Sequence, residues 1–211
     1  MRFVSREETA AVLAACPRAE WRVIVALCRY AGLRCPSELI GLRWDDLDWD
    51  ANLLRVRSVK TEHHGRDHAW RFVPVGDDLR RVLADCYADA EADEMIPGLT
   101  DGTVNLRTEF ARIVVRAGLE MWEKPFQNLR SSCETDWFRQ FPGRINDVAK
   151  WMGHSPEIAM RHYLQVVPQG VDDATAAETG EPVRRPTSRT GSLQSGAAAQ
   201  NPAQQDAAPA R

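Results

Sequence analysis

The sequence predicts an α+β fold that is mainly helical, with a small antiparallel β-sheet packed on helices. Apolar residues recur every three or four positions in several segments, which is the spacing of amphipathic helices. Two short segments in the first half instead alternate apolar and polar residues, as half-buried strands do. We find no internal repeat that would indicate a repeat architecture.

Length and composition are those of a soluble globular protein. The chain has 211 residues, 44% of them hydrophobic and 27% charged, which allows one domain or two small ones. It has no apolar run of transmembrane length, no signal-peptide pattern and no CxxC pair among its five cysteines. These features predict a cytoplasmic protein with reduced thiols and no membrane partner. The net charge of −3 excludes a bulk polycation, so nucleic-acid affinity would need a local basic patch.

The N-terminal segment predicts three helices separated by turns. Ser5 and Glu8 form a capping-box pattern for a first helix that runs to about Cys16. A second helix runs from about Glu20 to Gly32, because its apolar residues recur at helical spacing and glycine is a common terminator. A short third helix is predicted from Pro36 to Leu42, since proline suits a first helical position.

Arg34 falls in the turn before that third helix. A helix N-terminus favours anions, so an arginine there could help to bind one. Taken alone, Arg34 is equally well interpreted as an ordinary surface arginine.

Two strands, from Asn52 to Val59 and from Trp70 to Val75, are predicted to form a hairpin with a long loop. Between residues 55 and 71 the sequence has five basic residues and two acidic ones, which makes this hairpin the local basic patch. The basic residues are Arg55, Arg57, Lys60, Arg66 and Arg71. The loop histidines His63, His64 and His68 do not predict a metal site, because no helix or zinc-type ligand spacing accompanies them.

Helices predominate after the hairpin. One is predicted from Asp77 to Ala90, with Leu79, Val82, Leu83 and Cys86 as its buried face, and another from Thr103 to Ala117, closed by Gly118. Beyond Pro168 the composition changes to alanine, glutamine, proline, glycine, serine and threonine, without aromatic residues. Such a tail buries too little apolar surface to offset chain ordering, so residues 168–211 are predicted to be disordered.

The segment from Phe126 to Val166 presents an arginine, a histidine and a tyrosine from three consecutive short elements. Arg130 lies near the start of a helix, His154 follows a glycine in a turn, and Tyr163 lies on a helix that begins at Pro156. Arginine is a planar charged fork suited to phosphate oxygens, and a tyrosine hydroxyl can form a covalent intermediate. The alternative is that Tyr163 is only a core residue, since apolar residues lie three or four positions from it.

Four separated motifs resemble, in order, the catalytic domain of the tyrosine recombinases, the phage integrase family. They are GLR with Arg34 and Glu38; Lys60 with the strand Arg71–Pro74; Asn128-Leu129-Arg130; and Met152-Gly153-His154 followed nine residues later by Tyr163. The resemblance covers about residues 3 to 167. It implies a catalytic domain over residues 1–167, without the N-terminal core-binding domain that the family usually carries.

The resemblance also implies a chemistry. In this family a tyrosine, here Tyr163, attacks the scissile phosphate of DNA, forms a 3′-phosphotyrosyl link and releases a 5′-hydroxyl, without metal or other cofactor. Arg34 and Arg130 would hold the non-bridging oxygens, and such preorganised donors supply a large part of catalysis. Lys60 would protonate the departing oxygen as a general acid, and His154 would donate a further hydrogen bond to the phosphate.

By the same resemblance, Glu38 orients Arg34 from behind the site. The expected partners are double-stranded DNA, which Arg55, Arg57, Arg66 and Arg71 would contact, and other recombinase protomers in a synaptic tetramer. The expected role is integration or excision of a mobile element by a cytoplasmic, nucleoid-associated enzyme.

The sequence departs from the family pattern at two positions of the site. Gln127 stands where a histidine usually lies three residues before the second arginine, and it is kept as a candidate catalytic residue that can donate but not titrate near neutral pH. Ser37 has the usual spacing of the acid, and Glu38 lies one residue further on.

Two other functions stay open from the sequence. The chain could be a truncated, inactive remnant of an integrase that binds DNA without turnover. A metal-dependent nuclease is a more distant alternative, because the sequence lacks a convincing carboxylate cluster.

Overall fold

Helices form most of the described chain. The computed structural model describes residues 1–58, 69–88 and 105–166, which belong to a compact unit that covers Met1–Gln169. Within these ranges, no helix is long and apolar enough to cross a membrane. The α-helices are α1 (Arg6–Ala15), α2 (Ala19–Tyr30), α3 (Asp77–Tyr87), α4 (Leu106–Arg116), α5 (Pro125–Gln140), α6 (Ile145–Met152) and α7 (Pro156–Val166).

The strands form one antiparallel sheet in the order β1-β2-β3, with β1 at Leu47–Asp48, β2 at Leu53–Arg57 and β3 at Trp70–Pro74. Leu54 pairs with Val73 across β2 and β3, and both are fully buried on the face that packs on the helices. The predicted α+β fold and the predicted hairpin are confirmed. Strand β1 and the 3₁₀ turn at Trp44–Asp46 before it were not predicted, because elements of two or three residues are too short to show a periodic pattern.

Helix α2 lies at the centre of the core, in contact with α1, α3 and α5. Its residues from Val23 to Cys28 are all buried, as expected for a helical segment that is apolar on every side. The buried guanidinium of Arg29 at its end donates to the Asp136 carboxylate on α5 (2.7 Å) and to the Val4 carbonyl (3.0 Å). These bonds satisfy a charge that would otherwise be costly inside the protein. Helix α2 therefore fixes α5, the helix on which Arg130 lies.

Local signals predicted most helix ends correctly. The Ser5 hydroxyl accepts the Glu8 backbone N–H (3.1 Å), and the Ser5 N–H donates to the Glu8 carboxylate (2.9 Å), which is the predicted capping box. Gly32 and Gly118 follow α2 and α4 with φ of +61° and +76°, a conformation that glycine adopts without steric cost. The predicted buried face of α3 is also confirmed.

The predicted helix from Pro36 to Leu42 is wrong. Residues 35–41 form consecutive turns, and Gly41 closes them with a φ of +77°. A segment this short gains too few backbone hydrogen bonds to form a helix by itself. Glu38 reinforces the turn, because its carboxylate accepts the Arg34 backbone N–H at 2.7 Å. The hairpin loop with His63, His64 and His68 and the tail from residue 168 lie outside the described residues.

Candidate active site

Three arginines from three parts of the fold converge on the carboxylate of Glu38. Arg34 lies four residues before it in the same turn, Arg71 lies on β3, and Arg130 lies in the second turn of α5. The Arg71 fork donates to both Glu38 oxygens at 2.7 and 2.8 Å, and Arg34 Nη1 donates at 2.5 Å. Arg130 Nη1 lies 3.8 Å from the same carboxylate. Glu38, whose side chain is only 1% exposed, thus binds the guanidiniums of Arg34 and Arg71 directly and lies within ion-pair distance of the third.

The same three arginines bind the C-terminal end of α6. Arg71 donates to the Trp151 carbonyl at 2.8 Å, Arg130 to the Met152 carbonyl at 2.5 Å and Arg34 to the Gly153 carbonyl at 2.8 Å. The last carbonyls of a helix have no partner within the helix and carry its negative dipole end, so cations are favoured there. This arrangement positions His154, the next residue of the chain, beside the arginines.

Two glycines allow this close approach. Gly153 ends α6 with a φ of +66°, and a Cβ atom there would lie 3.0 Å from Cδ of Arg71. At Gly32, whose carbonyl accepts a hydrogen bond from Arg130, a Cβ atom would lie 2.8 Å from the sulfur of Met152. Each position therefore requires glycine for both its backbone conformation and its neighbours.

The cluster holds more positive than negative charge. Burial alone would raise the pKa of Glu38, but the neighbouring guanidiniums of Arg71, Arg34 and Arg130 outweigh it and lower that pKa. Burial, followed by repulsion from Arg34, lowers the pKa of Arg130 to about 10. Arg130 therefore stays charged at neutral pH, and three guanidiniums face one carboxylate. Such a site favours an anion that can accept several N–H donors.

The arginines differ in how far a ligand can reach them. The side chains of Arg34 and Arg130 are 23% and 13% exposed, whereas that of Arg71 is 6% exposed. Arg71, which is predicted to contact DNA, is nearly buried, and its guanidinium donates to Glu38 and to the Trp151 carbonyl. Arg71 supports the end of α6 and the Glu38 carboxylate.

His154 is held by a residue that the sequence analysis did not identify. Its Nε2 lies 2.7 Å from Glu134 Oε1, and its Nδ1 lies 3.3 Å from the carbonyl of Ser155. The second oxygen of Glu134 lies 3.1 Å from Nδ1 of His162. The sequence did contain a signal, because Glu134 lies four residues after Arg130 and so shares its face of a helix.

Tyr163 lies on α7, which packs against both α5 and α6. Its half-buried ring meets Phe138 of α5 edge to face, with ring centres 5.5 Å apart and planes at 81°. The interpretation of Tyr163 as a core residue is therefore correct for its ring. Packing of the ring does not prevent chemistry at the hydroxyl, because the apolar ring and the polar oxygen are separate parts of the tyrosine side chain.

The other predicted residues lie outside the Glu38 cluster or outside the described residues. Gln127 is exposed on α5, three residues before Arg130, and lines a depression with Arg2 and Trp122. On β2, Arg55 is half exposed, donates to Asp46 at 2.8 and 3.0 Å, and stacks over Trp70. Arg57 is exposed on the same strand. Lys60 and Arg66 are not among the described residues, so their roles stay predictions.

An open groove of about 980 Å³ adjoins the cluster. Arg71, Gly153 and His154 form one wall, and the exposed aromatic residues Trp70 and Phe72 of β3 form another. A ligand longer than a single anion can therefore extend from His154 along the exposed aromatic residues of β3.

Comparison with known proteins agrees with the fold. Residues 2–169 match the profile of the phage integrase family. The tyrosine recombinase XerC of Xanthomonas axonopodis pv. citri (strain 306) is 32% identical over 140 residues, which are 64% of this chain and 43% of that protein. XerC of Xylella fastidiosa (strain M23) is 31% identical over 140 residues, 64% of this chain and 44% of that protein. The chain thus spans less than half the length of these curated relatives.

Solved structures show the same fold at low sequence identity. XerA recombinase superposes with a TM-score of 0.63 at 19% identity, over 85% of this chain and 65% of that one. The catalytic domain of bacteriophage HP1 integrase gives 0.59 at 20% identity, over 85% of this chain and 95% of that one. The Tn1549 transposon integrase, in complex with transposon right end DNA, gives 0.63 at 15% identity, over 84% of this chain and 65% of that one. The chain belongs to the phage integrase family, the tyrosine recombinases.

Proposed function

We propose that this chain carries the catalytic domain of a site-specific recombinase that cuts and rejoins DNA through a 3′-phosphotyrosyl intermediate. The observation that carries the proposal is the pair of partly exposed arginines, Arg34 and Arg130, fixed by a buried carboxylate beside His154. A scissile phosphate is an anion whose negative charge grows during in-line displacement, so donors fixed in advance stabilise the transition state. Relatives and structural neighbours named as recombinases and integrases support this choice.

Each residue of the site then has a role in strand cleavage. Arg34 and Arg130 hold the non-bridging oxygens with N–H groups that do not face Glu38 or α6, since a guanidinium has five donors. The Tyr163 oxygen attacks phosphorus and passes its proton to His154, the bond to the 5′-oxygen breaks, and Lys60 gives that oxygen a proton. With that second proton on Nδ1, His154 donates to a phosphate oxygen in place of its long contact with the Ser155 carbonyl. In this mechanism Glu38 keeps Arg34 in place, Gln127 is kept as a possible hydrogen-bond donor, and no metal takes part.

DNA is the proposed partner, and integration or excision of a mobile element with other protomers on DNA is the proposed role. Structural neighbours crystallised in complex with DNA support the choice of DNA. Arg55 and Arg57 lie on the exposed face of β2, and each exposed cation near a phosphate adds sequence-independent affinity. Lys60 and Arg66 are proposed to extend this surface.

The proposal is tested with nicked suicide duplexes, whose short cleaved strand diffuses away and leaves a covalent adduct. A pool of such duplexes is prepared with the sequences of the DNA that flanks the coding sequence. We expect an adduct that survives denaturing electrophoresis and forms equally well with EDTA. An adduct lost with EDTA would contradict the metal-independent mechanism. DNA binding without any adduct would support the alternative, an inactive DNA-binding remnant.

Lys60 is expected to act as the general acid, because it lies in the basic hairpin at the family's lysine position. Lys60→Ala should slow cleavage of ordinary DNA by about a hundredfold or more, within the usual range for loss of proton transfer. Sulfur in place of the 5′-bridging oxygen is a better leaving group and should restore the rate of the variant. The measurement is the rate of adduct formation on the two substrates. If sulfur gives no rescue, Lys60 has another role and Arg66 becomes the candidate.

A further inference from the structure

Glu134 is a buried carboxylate that joins three elements around the site. It lies on α5, one helical turn after Arg130, and is 3% exposed. Its Oε1 lies 2.7 Å from His154 Nε2, and its Oε2 lies 3.1 Å from His162 Nδ1. His154 follows α6, and His162 lies on α7 directly before Tyr163. One carboxylate therefore connects the helix of Arg130, the turn of His154 and the helix of Tyr163.

This connection matters because few of the described apolar side chains of α7 are buried. Among the described side chains of α7, Ala159 is the buried one, and His162 and Tyr163 are half buried. The large apolar side chains Ile158, Met160 and Leu164 are each more than 40% exposed. Burying one alanine contributes little hydrophobic stabilisation, since the effect is proportional to the apolar area removed from water. The position of α7 therefore depends on the Tyr163 ring against Phe138 and on the pair formed by His162 and Glu134.

The carboxylate also sets the orientation of His154. A carboxylate accepts hydrogen bonds, so the Nε2 atom that faces it carries the proton. With Nε2–H donated to Glu134, the ring is fixed and its Nδ1 edge is the one left to meet a ligand. A buried carboxylate needs such partners, because an unpaired charge inside the protein is costly.

We propose that Glu134 is a positioning residue for DNA cleavage. It orients the His154 ring toward the phosphate, and through His162 it holds α7, the helix that carries Tyr163. Glu134 itself does not touch the reacting atoms. This inference rests on the proposed function for its catalytic consequence, whereas the connection between the three side chains can be tested without DNA.

The catalytic test compares Glu134→Gln with the wild type on nicked suicide duplexes. Glutamine has the same shape, but its amide presents one acceptor and one donor, so it cannot accept N–H groups from both histidines. We expect adduct formation to slow by roughly tenfold or more, while the Kd for the same DNA changes by less than about threefold, because a positioning residue acts on the reaction and not on binding. Glu109→Gln, a change in an exposed ion pair on α4, is the matched control and should leave the rate unchanged.

A double-mutant cycle tests whether Glu134 acts through His162. If the two residues form one unit, His162→Asn alone should slow the reaction, and adding it to Glu134→Gln should slow it by much less than the product of the two single effects. Fully multiplicative effects would overturn the coupling through His162.

Proton NMR tests the contact directly in the DNA-free protein. The wild type should show downfield imidazole N–H signals that are protected from exchange with water. Glu134→Gln should lose these signals, and His162→Asn should lose the signal of one ring. Signals that persist in Glu134→Gln would overturn the proposal, as would an unchanged rate of adduct formation in that variant. If the wild type forms no adduct, the proposed function fails, and the NMR result alone decides whether Glu134 holds the histidines. Thermal melting of each variant confirms that it is folded during these measurements.

Discussion

Tyr163→Phe should abolish the covalent protein–DNA adduct and leave the fold intact. Removing a covalent nucleophile commonly lowers a rate by at least about a thousandfold, and phenylalanine has no oxygen with which to form the phosphotyrosyl bond. Phenylalanine also keeps the ring, so the edge-to-face contact with Phe138 is retained. The measurement is adduct formation on nicked suicide duplexes, together with the melting temperature of the variant.

The chain supplies its own controls for this experiment. It contains three tyrosines, and the other two, Tyr30 on α2 and Tyr87 on α3, lie on helices away from α7. Tyr30→Phe and Tyr87→Phe should form the adduct at the wild-type rate. An adduct in Tyr163→Phe, or its loss in one of the other two variants, would assign the nucleophile to a different residue.

Glu38→Gln should destabilise the protein strongly, because it leaves three guanidiniums without their shared negative charge. Removing one partner of a buried ion pair typically costs about 3–5 kcal/mol, and Arg71 is nearly as buried as Glu38. The free energy of unfolding is measured by urea denaturation at pH 7. Glu20→Gln removes a carboxylate of an exposed pair with Arg18 and should cost less than about 1 kcal/mol. Equal losses in the two variants would contradict the central role of Glu38.

The wild type and Glu38→Gln also allow a test of this role by pH. The fold lowers the pKa of Glu38 from an ordinary value of 4.5, so the stability that its charge contributes is fully present above pH 4.5. That stability is lost as the pH falls through the lower value of the folded state. The difference in unfolding free energy between wild type and Glu38→Gln should therefore shrink as the pH is lowered below 4.5. A difference independent of pH would mean that the charge of Glu38 is not the cause.

The sequence alone predicted features whose causes lie within a few residues. The capping box at Ser5, the glycine after α2 and the buried face of α3 each depend on neighbours along one helix, and the structure has all three. The family resemblance placed Arg34, Glu38, Arg130, His154 and Tyr163 on short motifs, and these motifs lie in the turn or helices around the end of α6. The turns at residues 35–41 were instead predicted to be a helix. A proline suits the first position of a helix, but it does not show whether the segment is long enough to form one.

Only the tertiary structure decided which charged side chains pair with one another and which are buried. Arg71 has the sequence context of an exposed strand residue in a basic hairpin, but the end of α6 and Glu38 lie against that strand and bury it. Glu134 has no neighbour in sequence that predicts its two histidines, which are 20 and 28 positions away. Periodicity assigns a residue to a face of its own element, whereas the partner of that face depends on how distant elements pack. The sequence therefore predicted most of the elements and candidate residues, and the packing of α5, α6, α7 and β3 determined which of them support the others.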